Sequence, residues 1–453
     1  MKVLLINPPD TGMMQANLPA YVDQERGYLP PLGLLQVASY AKARTNWEVR
    51  VYDSNVESRE LGDLIYDYKP DLVGITATTF TLISALKIAK RVKNFSNYTK
   101  VVLGGVHTSI YPEESSRLPY IDYIVAGEGE EPFVKLLEDI SKARENGHIY
   151  QSRGLIPELD NLPIPDRTMT DYKAYSSILG SKGYITTMMT SRGCPYHCIF
   201  CHRPHLGKVF RARSTENVLE ELEQIVGLGI GEVLIYDDTF TVDLERAKAI
   251  CLGIIQRHLP IVYDIRARVD TVDSELMELL KASGCKRIHY GIEATNPSVL
   301  KAICKEICLE RVEETFALTK KYGIETLAYF IFGSPTETEV DILHTIEYAK
   351  RLQPDYCHFA VMTPYPATPL YQLGLNRGMY SDYWQEFARE PREDFVPPCW
   401  NEIEQERLRK LLNKAYKSFY LRPWYILKQA RKAYREKSLG RIVKAGTKVL
   451  LKT

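Results

Sequence analysis

Three cysteines in one short loop carry the clearest chemical signal of this sequence. Cys194, Cys198 and Cys201 form a C-x3-C-x2-C arrangement that follows a strand-like run. Three thiolates can hold three irons of a [4Fe–4S] cube, whereas four would close the cluster for electron transfer alone. The spacing therefore predicts an iron–sulfur centre with one iron open to a further ligand. The competing interpretation is a chance cluster of buried free thiols.

The composition is that of an ordinary globular enzyme. The chain has 453 residues, a formal net charge of +1, 45% hydrophobic and 25% charged residues, and its nine cysteines begin only at Cys194. This length predicts two to three domains. No leader peptide and no run of 18 apolar residues is recognised, so we expect a cytoplasmic protein with reduced thiols. The near-neutral charge gives no indication of nucleic acid as a partner.

Short apolar runs alternate with helical patterns over residues 1–145. This alternation predicts a doubly wound, Rossmann-like α/β domain, in which ligands lie beyond the carboxyl ends of the parallel strands. Three loops at those ends are rich in small polar residues. The candidate ligand-binding residues there are Thr76, Thr78, Thr79, Gly104, Gly105, His107, Thr108, Gly127, Glu128 and Gly129.

Six strand–helix units follow over residues 185–375, after a linker at 146–184. They predict a partial (β/α)6 barrel with its site at the carboxyl ends of the strands. The remaining residues, 376–453, form a predicted basic helical region. The fold class is thus α/β: a Rossmann-like domain, a partial barrel and a helical C-terminal region.

The cysteine loop resembles the signature of the radical S-adenosylmethionine (radical SAM) superfamily, including the aromatic Phe200 before the third cysteine. The resemblance implies that Cys194, Cys198 and Cys201 bind the cluster and are catalytic. It further implies that the amino and carboxylate groups of S-adenosylmethionine take the open iron. Reductive cleavage would then give a 5′-deoxyadenosyl radical that acts on an unactivated C–H bond. Such an enzyme needs an external one-electron reductant of the flavodoxin or ferredoxin type and an anaerobic setting.

The same resemblance carries over several cofactor-binding residues in the barrel. Asp237 and Asp238 stand where the family places contacts to the methionine amino group, and Arg268 (favoured over Arg266) where it places a partner for the carboxylate. Glu293 occupies the position of ribose or substrate contacts. The backbone of Gly333 and Ser334 is expected to approach the adenine.

Residues 1–145 resemble a cobalamin-binding domain, including the opening residues 5–9 and the element at 28–34. That branch contains anaerobic magnesium-protoporphyrin monomethyl ester cyclase and hopanoid C-methylases. The D-x-H-x-x-G motif that supplies a histidine to cobalt is absent, and His107 lies in a different loop. The resemblance therefore implies base-off cobalamin without a protein histidine on its lower face. The alternative is a domain that binds nothing and braces the barrel.

Three activities remain open. The first is C-methylation through methylcobalamin, and the second is a cobalamin-dependent radical oxidation or cyclisation. The third, methylthiotransfer, is disfavoured because no cysteine precedes Cys194 to hold a second cluster. The predicted substrate is a small or lipid-like molecule.

Two further features have alternative interpretations. Cys304 and Cys308, four residues apart, can share a helix face and, with Cys285 or Cys399, hold an auxiliary cluster, or they are core residues. The segment 407–453 carries fifteen Lys and Arg against one acid, Glu436, with interleaved aromatics. Such helices suit an anionic membrane surface, nucleic acid, or packing on the barrel. Nucleic acid is disfavoured.

Overall fold

The computed structural model describes residues 1–10, 14, 27–144, 147–177, 179–180, 183–202, 207–400 and 402–435. Within these ranges the chain forms two parallel sheets of six strands each and a short two-stranded ribbon.

The first sheet confirms the predicted Rossmann-like unit. Its strands are β1 (Lys2–Asn7), β2 (Glu48–Asp53), β3 (Leu72–Thr76), β4 (Lys100–Gly104), β5 (Tyr123–Ala126) and β6 (Ile149–Gln151). Its helices are α1 (Leu32–Arg44), α2 (Leu61–Tyr68), α3 (Leu82–Phe95), α4 (Val106–Ile110), α5 (Pro112–Ser115) and α6 (Glu130–Ser141).

The strand order is β2-β1-β3-β4-β5-β6, with all neighbours parallel. Apolar residues occupy both faces of β1, where Val3, Leu4, Leu5 and Ile6 are all buried, because helices cover the sheet on both sides. The order reverses between β1 and β3, and such a switch point opens a crevice at the carboxyl ends of the strands. Strand β6 comes from the stretch that the sequence assigned to the linker.

The second sheet confirms the predicted partial barrel. Its parallel strands, in the order β14-β13-β12-β11-β10-β7, are β7 (Tyr184–Met188), β10 (Ile230–Ile235), β11 (Val262–Ala267), β12 (Cys285–Glu293), β13 (Glu325–Phe332) and β14 (Tyr356–Val361). The ribbon pairs β8 (Ser191–Arg192) with β9 (Arg211–Ala212). The covering helices are α7 (Thr215–Gly227), α8 (Leu244–Gln256), α9 (Ser274–Ala282), α10 (Pro297–Ala302), α11 (Leu309–Lys321) and α12 (Glu339–Leu352).

The linker fastens the two sheets together. Tyr175, almost fully buried, donates its hydroxyl to Asp53 Oδ2 at 2.9 Å, at the carboxyl end of β2. Arg167 forms a buried ion pair with Glu221 of α7 at 2.5 Å and donates to the carbonyl of Thr187 in β7. A polar side chain buried this deeply requires such partners, so the linker has a fixed path between the sheets.

Four helices complete the described chain: α13 (Pro369–Asn376), α14 (Tyr383–Arg389), α15 (Gln405–Tyr420) and α16 (Pro423–Arg435). Tyr416 and Tyr420 of α15 hydrogen-bond to the backbone of Phe359 and Cys357 in β14, and Phe419 is wholly buried. Most of the interleaved aromatics therefore pack on the barrel, because their helical spacing places them on one face. Residues 436–453 of the predicted basic region lie outside the described residues.

Several of the basic side chains in this region have acidic partners on the barrel. Lys428 pairs with Asp355 at 2.7 Å, Lys432 pairs with Glu325, and Arg407 pairs with Glu339. The exposed apolar residues of α16 are Trp424, Ile426 and Leu427. Across the ranges that the structure covers, no helix is both long enough and apolar enough to span a bilayer.

Candidate active site

The loop that carries the three cysteines is held by one buried carboxylate. Asp237, at the carboxyl end of β10, accepts hydrogen bonds from the backbone and hydroxyl groups of Thr190 and Ser191, at 2.6, 2.5, 3.2 and 2.7 Å. Both Asp237 oxygens are thus used by the chain itself, and the residue is fully buried. Asp237 therefore fixes the start of the loop, and its contact with the methionine amino group stays a prediction.

The three cysteines follow this anchored segment. Gly193 has φ +81°, a conformation that glycine adopts without strain, and it turns the chain into Cys194. Cys194 is buried with its Sγ 3.7 Å from Thr239 Oγ1, while Cys198 and Cys201 are half-buried. The N–H of Ile199 donates to Ile303 O at 3.1 Å, which ties the loop to the end of α10.

The loop environment fits a thiolate-bound cluster. Burial raises the pKa of Cys198 and the charge of Glu293 adds to that rise, while the nearby cations Lys305 and Arg268 oppose it. Positive charge next to half-buried thiols is what an anionic iron–sulfur cluster requires. No three His, Cys, Asp or Glu side chains among the described residues converge on a single metal ion. A cube differs from such a site because each thiolate binds a different iron.

Arg268 lies against the cysteine loop, where the sequence placed it. Its guanidinium stacks 3.9 Å from the ring centroid of Tyr196 and forms two bonds with Asp270, at 2.9 and 2.8 Å. One nitrogen also donates to Glu306 O at 2.9 Å. Arg268 is therefore already ion-paired, and a carboxylate ligand there would have to share it with Asp270.

Glu293 also lies near the cysteine loop, where its charge acts on Cys198. Its Oε1 lies 3.2 Å from Lys305 Nζ, and both side chains are almost fully buried. Glu293 also has φ +70°, a strained conformation for a residue with a side chain. Lys305 was not predicted from the sequence, because it sits in an irregular segment after α10 and only the fold brings it to the cysteine loop. Asp238, half-buried beside Asp237, remains a candidate contact.

The turn after β13 is held by a carboxylate that the sequence analysis missed. Glu337 Oε2 accepts the N–H groups of Gly333 and Ser334 at 2.6 and 3.0 Å. Burial raises the Glu337 pKa to about 8 despite these two bonds. Gly333 has φ +80°, and a Cβ there would stand 2.9 Å from Leu408 of α15. The only sequence signal was an acid just before the Thr338 cap of α12.

The three loops predicted to bind cobalamin meet at one edge of the first sheet. His107 is wholly buried, with Nδ1 3.1 Å from Thr79 Oγ1, and burial lowers its pKa to about 3. Thr108 donates to Val125 O at 2.7 Å, and Thr78 caps the turn at residues 79–81. His107 is thus a neutral, wholly buried residue, and the expectation of cobalamin without a histidine on cobalt stays a prediction.

This edge fits a corrinoid by its chemistry. Thr76, Gly104, Gly105, Gly127 and Gly129 are half-buried there and present small or no side chains. The buried Nε2 of His107 has no hydrogen-bond partner among the described residues. A polar group of a ligand or a water next to these loops could form that hydrogen bond. Neutral donors and backbone amides suit the amide side chains and phosphate of such a cofactor.

Glu128 has a role that the sequence did not predict. Its two carboxylate oxygens accept from Arg192 at 2.8 Å, from Arg211 at 2.8 and 3.1 Å, and from the N–H of Ile156 at 2.5 Å. Arg192 also pairs with Glu130 at 2.6 Å. Glu128 is therefore part of a buried ion-pair cluster, and its cofactor contact stays a prediction. The cluster joins the loop after β5 to the residue two positions before Cys194.

Two family models match parts of this chain. The family model described as the radical SAM superfamily matches residues 188–349, and the one described as the B12 binding domain matches residues 20–137. An uncharacterized methyltransferase of Pyrococcus horikoshii is 36% identical over 453 residues, covering 94% of each chain. The anaerobic magnesium-protoporphyrin IX monomethyl ester cyclase of Rubrivivax gelatinosus is 28% identical, over 82% of this chain and 70% of that one.

A solved structure shares the fold. The radical S-adenosylmethionine methyltransferase TsrM from Kitasatospora setae, with cobalamin and a [4Fe–4S] cluster bound, superposes with a TM-score of 0.65 at 20% identity. The superposition covers 82% of this chain and 73% of that one.

The role of Asp237 generates a test. In Asp237→Asn, the amide nitrogen would face donors that now meet a carboxylate oxygen, so we expect the cysteine loop to loosen and the protein to retain less than half of its iron and sulfide after anaerobic reconstitution. Asp273→Asn is the matched control, because Asp273 caps α9 away from the loop. Unchanged iron and sulfide content in Asp237→Asn would contradict the assigned role.

Proposed function

The chain belongs to the cobalamin-dependent radical SAM methyltransferase family, and we propose that it transfers a methyl group to an unactivated carbon of its substrate. The observation that carries the proposal is the ion-pair cluster of Glu128, Glu130, Arg192 and Arg211, which places the loop after β5 directly beside the cysteine loop. Two cofactor sites held this close suit a reaction in which both act on one substrate atom.

The cofactors supply the difficult chemistry, and the protein binds and orients them. Cys194, Cys198 and Cys201 would hold the cluster, and the loops at residues 76–79, 104–108 and 127–129 would hold cobalamin. When bound, these groups supply hydrogen-atom abstraction and methyl transfer. Lys305 and Arg268 would offset the negative charge of the thiolates. Asp237 and Asp238 are the candidate carboxylates for the methionine amino group, and Asp237 would share oxygens that already accept from Thr190 and Ser191.

The second candidate is a radical oxidation or cyclisation, and the similarity to the cyclase over 82% of this chain favours it. The two reactions differ in their by-products. Methyl transfer by this chemistry consumes a second S-adenosylmethionine as methyl donor and gives S-adenosylhomocysteine beside 5′-deoxyadenosine and methionine, whereas oxidation gives 5′-deoxyadenosine and methionine without S-adenosylhomocysteine. Methylthiotransfer remains disfavoured, because its usual second cluster has no cysteine ligands before Cys194.

Replacing cysteines tests the cluster assignment. We expect Cys194→Ala, Cys198→Ala and Cys201→Ala each to abolish 5′-deoxyadenosine formation, because a cube with two protein thiolates is not retained in an active form. The controls are Cys304→Ser and Cys308→Ser. Both residues are exposed whereas Cys285 and Cys399 are buried, so we expect full activity and unchanged iron content. Iron loss in either control would instead support the auxiliary cluster, and cleavage that persists in all three alanine variants would refute the family chemistry.

The lower face of cobalamin provides a second test. The reconstituted protein with cob(II)alamin should give an electron paramagnetic resonance spectrum without nitrogen splitting from an axial ligand, because the neutral His107 is wholly buried. His107→Ala should leave that spectrum unchanged. Nitrogen hyperfine structure that vanishes in His107→Ala would show that the histidine reaches cobalt, and failure to take up cobalamin would support the bracing role of the domain.

A reducing, cytoplasmic setting and a flavodoxin- or ferredoxin-type electron donor belong to the same proposal. The support is chemical: a cluster with an open iron needs one electron per cleavage and is damaged by oxygen. None of the nine cysteines, all of which lie within the described residues, is joined in a disulfide, which suits such a setting.

We propose peripheral membrane contact for the exposed apolar residues of α16 alone, and not for the whole segment 407–453. Trp424, Ile426 and Leu427 are 42%, 51% and 51% exposed on α16, which also carries the exposed Arg431. Such a face can enter the headgroup region of an anionic bilayer.

Vesicle binding tests this contact. At low salt we expect Trp424 fluorescence to shift to the blue with anionic vesicles, and the shift to weaken with salt because exposed charges are screened within about 10 Å at 0.1 M. Leu427→Ser should weaken binding, and Leu252→Ser, an exposed leucine on α8, is the matched control. Equal binding to neutral vesicles, or none to either kind, would leave α15 and α16 as a packing cap.

A further inference from the structure

The concave face of the second sheet carries a row of polar and aromatic side chains below the cysteine loop. Strand pairing aligns Arg266 of β11 with His289 of β12, and Tyr329 of β13 with His358 of β14. Arg266 lies two residues before Arg268, so both point to the same face with Arg266 one step deeper. Tyr236 follows β10 beside Arg266. We call Tyr236, Arg266, His289, Tyr329 and His358 the mid-barrel row.

Arg266 is the distinctive member of this row. Its guanidinium stacks 4.0 Å from the ring centroid of Tyr236, and Nη1 donates to Tyr236 O at 3.4 Å. Within the part of the chain that the structure describes, it has no ion pair with a carboxylate. The neighbouring guanidinium groups on the same sheet, Arg268 and Arg287, each have at least one. A half-buried guanidinium without an acidic partner has lost part of its hydration and favours an anion.

A hydrogen-bonded chain orients the groups next to Arg266. Asp264 Oδ2 lies 3.4 Å from His289 Nε2, and His289 Nδ1 lies 3.0 Å from the Tyr329 hydroxyl. Asp264 Oδ2 also accepts from Arg287 at 2.7 Å. Burial lowers the pKa of His289, so the ring is neutral and one nitrogen donates while the other accepts. When His289 donates its Nε2–H to Asp264, the Tyr329 hydroxyl donates to His289 Nδ1. This hydrogen bond fixes the position of the Tyr329 ring.

Two buried polar atoms in the same region have no partner among the described residues. They are Oδ1 of Asp264 and Nε of Arg287, on side chains that are 3% and 1% exposed. Unsatisfied atoms of this kind indicate positions that water or a ligand fills in the working protein. They lie one step deeper than the mid-barrel row, since Asp264 precedes Arg266 by two residues and Arg287 precedes His289 by two.

We propose that the mid-barrel row is a binding site for an anionic group of the substrate, a carboxylate or a phosphate, anchored by Arg266. The ring of Tyr236, which stacks on the Arg266 guanidinium, and the ring of Tyr329 provide aromatic surface that favours a molecule with a planar or apolar body behind the anion. The assignment rests on the proposed function only in treating the ligand as substrate. It narrows the substrate class, since a purely hydrocarbon lipid would leave Arg266 unpaired.

Arg268, and not Arg266, is the arginine at the cysteine loop. Arg268 stacks on Tyr196 and its charge acts on the Cys198 thiol, whereas Arg266 stacks on Tyr236. The two arginines therefore serve different ligands in this proposal: Arg268 serves S-adenosylmethionine, and Arg266 serves the substrate.

The test uses the full-length, cluster-reconstituted protein and three probes of similar shape: benzoate, phenyl phosphate and neutral benzyl alcohol. Binding is measured anaerobically by saturation-transfer nuclear magnetic resonance and calorimetry. We expect at least one anion to bind to wild type, and Arg266→Gln to weaken it by at least about tenfold, the loss typical of a charge-assisted hydrogen bond. Arg266→Lys should retain part of the affinity, and benzyl alcohol should be insensitive to both changes. Which anion binds more tightly distinguishes carboxylate from phosphate.

The matched control is Arg257→Gln, a surface arginine paired with Glu216 and Glu223, which should bind as wild type does. S-adenosylmethionine binding is followed separately, by its effect on the electron paramagnetic resonance spectrum of the reduced cluster. Arg266→Gln should preserve that effect and Arg268→Gln should diminish it. The proposal is overturned if neither anion binds to wild type, if Arg266→Gln binds them equally well, or if Arg266→Gln loses the S-adenosylmethionine effect. Because no turnover is measured, each of these results leaves the proposed methyl transfer standing.

Discussion

The carboxylate of Glu128 is the point on which the arrangement of this molecule depends. It accepts hydrogen bonds from two arginines of the barrel, Arg192 and Arg211, while itself standing on a loop of the first sheet. Burying three charged groups costs solvation, and the cost is offset only when every partner is present. Removing one partner would leave an uncompensated buried charge. The two sheets are therefore held in one relative position at the place where their functional loops meet.

Asp237 is a second buried carboxylate that fixes a functional loop, in this case the start of the cysteine loop. A carboxylate with four donors and no exposure is a fixed structural element, and it sets where Cys194 begins. Lys305 and Arg268 then place positive charge near the Cys198 thiol. Such pre-organisation lets the protein place reactive groups without rearrangement at the moment of reaction. The mid-barrel row, farther from the cysteine loop, is pre-organised in the same way. There the hydrogen-bonded chain from Asp264 through His289 to Tyr329 holds these side chains in place beside Arg266.

The sequence predicted where polar groups gather but not what each one does. Alternating apolar runs and helical patterns gave both sheets, and the cysteine spacing gave the cluster loop. Asp237 and Glu128 were correctly located at strand ends. The oxygens of Asp237 accept hydrogen bonds from Thr190 and Ser191, and those of Glu128 accept from Arg192 and Arg211. Only the tertiary structure brings these partners together. Lys305 and Glu337 had no periodic pattern to indicate them. The aromatics of α15 show the same limit, because helical spacing is identical for a membrane face and for a face that packs on β14.

The central claim is that the two cofactor sites act together to methylate carbon. The most direct measurement supplies the reconstituted enzyme with S-adenosylmethionine deuterated in its methyl group, an electron donor and a small-molecule extract, and follows the products by mass spectrometry. The account predicts an extract component that gains a deuterated methyl group on carbon, with both S-adenosylhomocysteine and 5′-deoxyadenosine formed. A changed component without the label, accompanied by 5′-deoxyadenosine without S-adenosylhomocysteine, would contradict it and assign the enzyme to radical oxidation or cyclisation.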